Sequence, residues 1–186
     1  FGKIVATGLT NDVTLQNGTL KIQNIRGNSF YGKIGGNVIV DLNKRITWTN
    51  VQGRGLSAEP AILALIPKSD DIAGKLDFDS KLSFRGFCVS DIQHSLSGNT
   101  IFIISNGKIG SLGKLEHLIS AQNLLTSNAL TTSLNTVVKA FAVKNTGYYK
   151  YVKGRVNLSS GVANISAIKA AGPTMSLYIT GRYNIP

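Results

Sequence analysis

One unit recurs along this chain: a run of residues alternating apolar and polar, a turn rich in glycine or asparagine, then another such run. The clearest run is Leu76-Asp77-Phe78-Asp79-Ser80-Lys81-Leu82-Ser83-Phe84-Arg85. Successive side chains of a strand point to opposite sides. Leu76, Phe78, Leu82 and Phe84 therefore fall on one face, and Asp77, Asp79, Lys81 and Arg85 on the other. Such a pattern demands a sheet that is greasy on one side and wet on the other.

The same reading extends in both directions. Val13 and Leu15, then Asn17-Gly18, then Leu20 and Ile22 predict a two-residue hairpin, because Asn and Gly both tolerate positive φ. From Phe30 to Leu42, Phe30, Ile34, Val38, Val40 and Leu42 share parity across Gly32 and Gly36, where glycines permit bends or bulges. Asn43-Lys44 turns the chain into a strand from Ile46 to Val51. The run Ile101-Phe102-Ile103-Ile104 is apolar on both faces and is expected to be covered on both. Lys150–Leu158, Val162–Ile168 and Met175–Tyr183 read as a closing meander turned at Ser160-Gly161 and Ala171-Gly172-Pro173. On the strand that begins it, Tyr149, Tyr151, Lys153 and Arg155 are expected to share a face.

Helical signals interrupt this pattern. Ser57-Ala58-Glu59-Pro60 predicts a helix start with Ser57 as N-cap, and a short helix is expected from Ser90, again as cap, to Leu96. Between residues 110 and 145 the period changes. Leu115, Leu118, Ile119, Leu134, Val138 and Phe141 predict the buried faces of two amphipathic helices. The expected fold class is α+β, mostly antiparallel β: a curved, groove-like sheet of about ten strands with a two-helix insertion, residues 1–186 forming one domain. The concave face of that sheet is expected to carry the apolar set, and the helices to lie against it.

Catalytic equipment is sparse. The two histidines, His94 and His117, lack metal-ligand spacing, and Cys88 sits in the apolar stretch Gly86-Phe87-Cys88-Val89, where it reads as a small buried hydrophobe. The dense carboxylates are Asp70-Asp71 in a loop and Asp77/Asp79 on the wet face of a strand, which suits solvated charge. Gly107-Lys108-Ile109-Gly110-Ser111 lacks the order of a phosphate loop. No enzyme, metal site or cofactor is expected. The 20 Lys and Arg against 9 Asp and Glu give +11, which favours anionic partners such as phospholipid head groups. Nucleic acid is not expected, because basic residues are scattered rather than interleaved densely with aromatics outside the stretch Tyr148–Arg155.

Several of these stretches resemble one family. Leu15-Gln16-Asn17-Gly18-Thr19-Leu20, Phe30-Tyr31-Gly32-Lys33-Ile34-Gly35-Gly36, Gly74-Lys75-Leu76-Asp77-Phe78 and Leu82-Ser83-Phe84-Arg85-Gly86 follow one another as in the AsmA-like proteins of Gram-negative envelopes. Leu96-Ser97-Gly98, Asn106-Gly107-Lys108-Ile109 and Ser160-Gly161-Val162-Ala163-Asn164-Ile165 extend the resemblance from about Val13 to Tyr183. It implies the C-terminal segment of a longer protein, on the periplasmic side of the inner membrane, anchored there by an N-terminal helix. It also implies an elongated open β-groove with an apolar interior, helping to move phospholipid towards the outer membrane and to maintain the envelope. The expected partners are phospholipid or another acyl lipid, together with envelope proteins. Acyl chains would lie against Phe30, Ile34, Val38, Val40, Leu76, Phe78, Leu82 and Phe84. The alternative is a structural or interaction module whose apolar faces pack on each other, assisting outer-membrane protein biogenesis without carrying lipid.

Overall fold

The computed structural model of the chain describes residues 4–65, 72–109, 148–171 and 176–184. In chain order it contains β1 (Ala6–Gln16), β2 (Thr19–Ser29), β3 (Gly32–Asp41), β4 (Ile46–Ser57), α1 (Ala58–Leu65), β5 (Ile72–Arg85), α2 (Val89–Ser95), β6 (Ser97–Ile109), β7 (Tyr148–Ser159), β8 (Val162–Ala171) and β9 (Ser176–Asn184). The nine strands form one open antiparallel sheet in which neighbours in sequence are neighbours in space. The α+β class read from the sequence is the observed one, with nine strands. The helices expected between residues 110 and 145 lie outside the described residues, as does the Ala171-Gly172-Pro173 turn beyond Ala171.

Local chemistry accounts for most of the turns. Asn17 and Gly18 sit at φ 50° and 72°, and Leu15 faces Leu20 while Val13 faces Ile22, as the hairpin reading requires. A Cβ on Gly18 would strike the Asn43 side chain, so glycine serves there twice. Between β3 and β4 the Asp41 carboxylate accepts the Lys44 backbone N–H at 2.8 Å, closing an Asx-type turn. Ser160 and Gly161, at φ 49° and 76°, join β7 to β8.

Other expectations are corrected. Phe30 is not in a strand. It and Tyr31 form the β2–β3 turn at φ 48° and 61°, so Phe30 loses the parity that would have set it beside Ile34. Bulky residues rarely take this conformation, and nothing in their type announces it. The turn is held because Phe30 C=O accepts the Ser57 N–H at 2.7 Å, and Gly32 passes so close to Leu56 and Arg54 backbone that a Cβ would collide. Cys88 is exposed, not buried: it precedes α2, a helix with no buried residue, between Phe87 and Val89 at 58% and 61% exposure. Cys88 also occupies the N-cap position expected of Ser90, without a side-chain hydrogen bond. Ile101 is 44% exposed, so among the described residues that end of β6 has cover on one side.

Bulges in several strands shape the sheet, among them β1, β2, β4, β6 and β8. Register shifts place Ile22 and Ile25 of β2, Gly53 and Leu56 of β4, and Ile165 and Ile168 of β8 on one face although each pair is three apart. In β2 the extra residue is Asn24 at φ 53°. Its N–H donates to Asn37 Oδ1 at 3.0 Å and its side chain to Asp12 Oδ2 at 2.7 Å, so the unpaired groups are satisfied sideways. In β4 it is Gly55 at φ 64°, whose N–H donates to Asp77 Oδ1 at 2.6 Å.

The buried core sits at one end of the apolar face. Ala58, Ala61 and Ala64 of α1 are buried, and these small side chains let the helix settle close to the sheet. Ala58, Ile104 and Tyr149 form the cluster, with Ile62, Leu76, Phe102 and Val152 packed around it; Leu56, 2% exposed, is the largest fully buried side chain. Tyr149 and Val152 both reach this cluster. Tyr149 therefore joins Val152, expected on the face opposite to it, and not the side of Tyr151, Lys153 and Arg155.

Candidate functional site: the apolar face of the sheet

Reading the pairings across the sheet recovers continuous rows. One runs Leu15, Leu20, Val40, Thr47, Phe84; the next Val13, Ile22, Val38, Thr49, Leu82, Gly98, Leu158. A third runs Ile34, Gly53, Phe78, Phe102, Gly154, Ile168, and a fourth Leu56, Leu76, Ile104, Val152, Ala170. Residues directly opposite in an antiparallel pair point to the same side. Ile34, Val38, Val40, Leu76, Phe78, Leu82 and Phe84 are therefore brought onto one face, and Phe30 is not part of any row.

The seven are arranged as two ridges. Ile34, Val38 and Val40 stand on β3, and Leu76, Phe78, Leu82 and Phe84 on β5. Between them β4 presents Thr47, Thr49, Val51 and Gly53, which are smaller than the leucines and phenylalanines of β5 and, Gly53 apart, match the valines of β3 in size. Two strand spacings separate the ridges, about 10 Å. All seven side chains are half-buried. Towards the α1 end the Phe78 ring lies over Gly53, where a Cβ would overlap it, and Leu56 and α1 close off the row. At the other edge Leu15, Val13 and Leu9 on β1 are exposed, at 66%, 59% and 53%.

Three hydroxyls on this face bond within the protein. Ser80 and Thr100 hydroxyls bond each other at 2.8 Å across β5 and β6, and Thr49 reaches the Leu82 carbonyl at 3.5 Å. The surface thus offers methyls and rings with few free donors, chemistry suited to an acyl chain and poor for a polar substrate. The depressions described on the molecule, about 570 and 280 Å³, are lined instead by residues such as Asn24, Arg26, Asn37 and Arg54, and by Trp48, Asn50 and Lys81. Of the seven only Ile34 and Leu82 line one, so the apolar rows form an extended surface and not a pocket.

Sequence parity missed Ile25, Leu56, Phe102, Ile104, Val152, Val156, Ile165 and Ile168 as members of this face. The signal for part of them was present. Asn24 and Gly55 are residue types that accept positive φ inside a strand, and each is followed by an apolar residue three positions after its face-mate.

Titratable groups give no catalytic constellation among the described residues. Asp79 pairs with Arg54 at 2.6 Å in solvent, Asp77 accepts the Gly55 N–H, and His94 Nδ1 lies 2.7 Å from the Ser90 carbonyl on the exposed helix α2. No group of three His, Cys, Asp or Glu side chains could hold a metal there. His117 and Asp70-Asp71 lie outside the described residues. Burial pushes the Tyr149 phenol up to about 12, and its hydroxyl donates to the Ala73 carbonyl at 2.5 Å, so this side chain is a neutral structural donor. No described helix is long and apolar enough to cross a membrane. No protein-family model, curated protein or solved structure matches the chain.

Proposed function

We propose that this chain is a lipid-conveying β-groove segment of the AsmA-like kind, working on the periplasmic side of the inner membrane to pass phospholipid towards the outer membrane. The observation that carries the reading is the continuous apolar face, which among the described residues is covered by a helix only at the α1 end. Elsewhere on that face the leucines and phenylalanines of β5 stand above the smaller side chains of β4, a step along which a chain of methylenes could lie lengthwise. Removal of apolar area from water would hold it, at about 25 cal/mol per Å². Many similar weak positions along the strands suit conveyance better than one tight site would. The order of motifs that resembles the family supports the same reading, since it spans the strands that build this face.

The test is mass spectrometry of lipids extracted from protein purified without detergent, for the native sequence and for Leu82→Asp. Phospholipid is expected with the native chain, and clearly less with the variant while its fold persists, because half-buried Leu82 leaves a carboxylate room to stay hydrated. In a closed core an unpaired charge costs several kcal/mol. A native chain without lipid, together with an unfolded Leu82→Asp, would make the packed interaction module the better description.

A further inference from the structure

The polar face of the sheet is electrically uneven. All nine Asp and Glu residues stand at or before Glu116. Strands β6 to β9 therefore carry Lys108, Lys150, Lys153, Arg155, Lys169 and Arg182 without one carboxylate among them. The ion pairs among the described residues are Lys44–Asp41 and Arg54–Asp79, and neither draws on these cations. The nearest carboxylates on β5 are turned to β4: Asp77 to the Gly55 N–H and Asp79 to Arg54.

Lys153 and Lys169 stand directly opposite each other on β7 and β8, both exposed. Like charges in that position destabilise a sheet, so folding alone gives no reason for the pair. Around them the face is amphipathic. Lys153 lies over the Tyr151 ring at 5.1 Å and Lys169 over the Tyr178 ring at 5.6 Å, while Ile101 stands opposite Arg155 on β6. Cations, tyrosines and an exposed aliphatic side chain together match the head-group layer of a bilayer, where aromatic rings are enriched and basic residues meet anionic lipid. A surface for single-stranded nucleic acid would need ring faces free for stacking bases. Here Tyr151 and Tyr178 each hold an ammonium group over one ring face.

We infer that the polar face of β6–β9 docks on an anionic phospholipid bilayer, with Lys153, Arg155 and Lys169 at the phosphates and Tyr151, Tyr178 and Ile101 entering the interfacial layer. This surface is opposite to the apolar rows and uses head groups, not acyl chains, so it stands or falls separately from the lipid-conveying reading. Sedimentation with two vesicle populations of identical acyl chains tests it, one of phosphatidylcholine and one containing phosphatidylglycerol. Binding is expected to the second alone and to weaken with salt. Lys153→Gln/Lys169→Gln should bind on the order of thirtyfold more weakly. Lys153→Arg/Lys169→Arg should bind like the native chain, as should Lys44→Gln, which removes a distant charge. The melting temperature of the double Gln variant should be unchanged or higher, since it relieves the opposed charges. Native-like binding by that variant, an equal loss in Lys44→Gln, or preference for a single-stranded oligonucleotide over the anionic vesicles would each overturn the proposal.

Discussion

Phe78 and Phe102 lie side by side across β5 and β6, each with a glycine on its outer flank, Gly53 on β4 and Gly154 on β7. A Cβ on Gly154 would come within 2.7 Å of the Phe102 ring and 2.9 Å of Ile168, so the missing side chain is what lets the ring lie down on the sheet. Gly154→Ala should therefore lower stability by about 1–3 kcal/mol through overpacking, read as a fall in denaturation midpoint without change of slope. Tyr149 uses the same device: its hydroxyl passes over Gly74 and Gly107 to reach the Ala73 carbonyl. Its phenol ionises near 10 when unfolded and at about 12 when folded, because burial disfavours the charged form. The folded state thus keeps a proton that the unfolded chain releases. The stability this contributes is complete below pH 10 and is lost as pH rises through 12, about 2–3 kcal/mol in all. In Tyr149→Phe that alkaline loss should shrink, while stability near neutral pH falls by about 1 kcal/mol for the missing hydrogen bond. Denaturant titrations across pH 8 to 12 compare the two chains.

How far each element was legible depends on which residues mark its ends. The β1–β2 hairpin was readable because Asn17-Gly18 advertises its backbone conformation, and β5 because its alternation carries no interruption on either side of Ser80. Helix α1 was readable from Ser57 to Pro60, though its value to the fold lies in Ala58, Ala61 and Ala64, whose smallness says nothing about a partner until the sheet is in place. The β2–β3 turn was not readable, since Phe30 and Tyr31 take positive φ under tertiary constraint from Ser57 and Leu56. Strict parity also failed wherever a bulge intervened. Leu56 is the costliest omission: it follows Gly55, pairs with Leu76 and is fully buried. Leu56→Ala should cost about 2–5 kcal/mol by transfer and cavity terms together, measured by thermal or chemical unfolding. A cost under 1 kcal/mol would mean that burial of Leu56 contributes little.

At the largest scale the described residues form a single open sheet whose two faces differ in chemical character. One carries apolar rows packed under α1 at one end and half-buried along the β3 and β5 ridges; the other is polar, and basic without relief across β6–β9. A sheet with only one face packed is what strict alternation along antiparallel strands encodes, so this division was visible in the sequence. What occupies the apolar rows was not visible, because a lipid-facing strand and a core-facing strand have the same pattern. Leu82 and Ser83 resolve the matter because they are adjacent in sequence on opposite faces: Leu82 in the row of Val38 and Thr49, Ser83 in that of Ile39 and Trp48. A photo-reactive benzoylphenylalanine at position 82 or 83, irradiated in the presence of a monomeric short-chain phospholipid, reports contact with acyl chains by the mass of the adduct. Lipid adducts are expected at position 82 and not at 83; adducts at both positions alike, or at neither, would contradict a lipid-bearing apolar face.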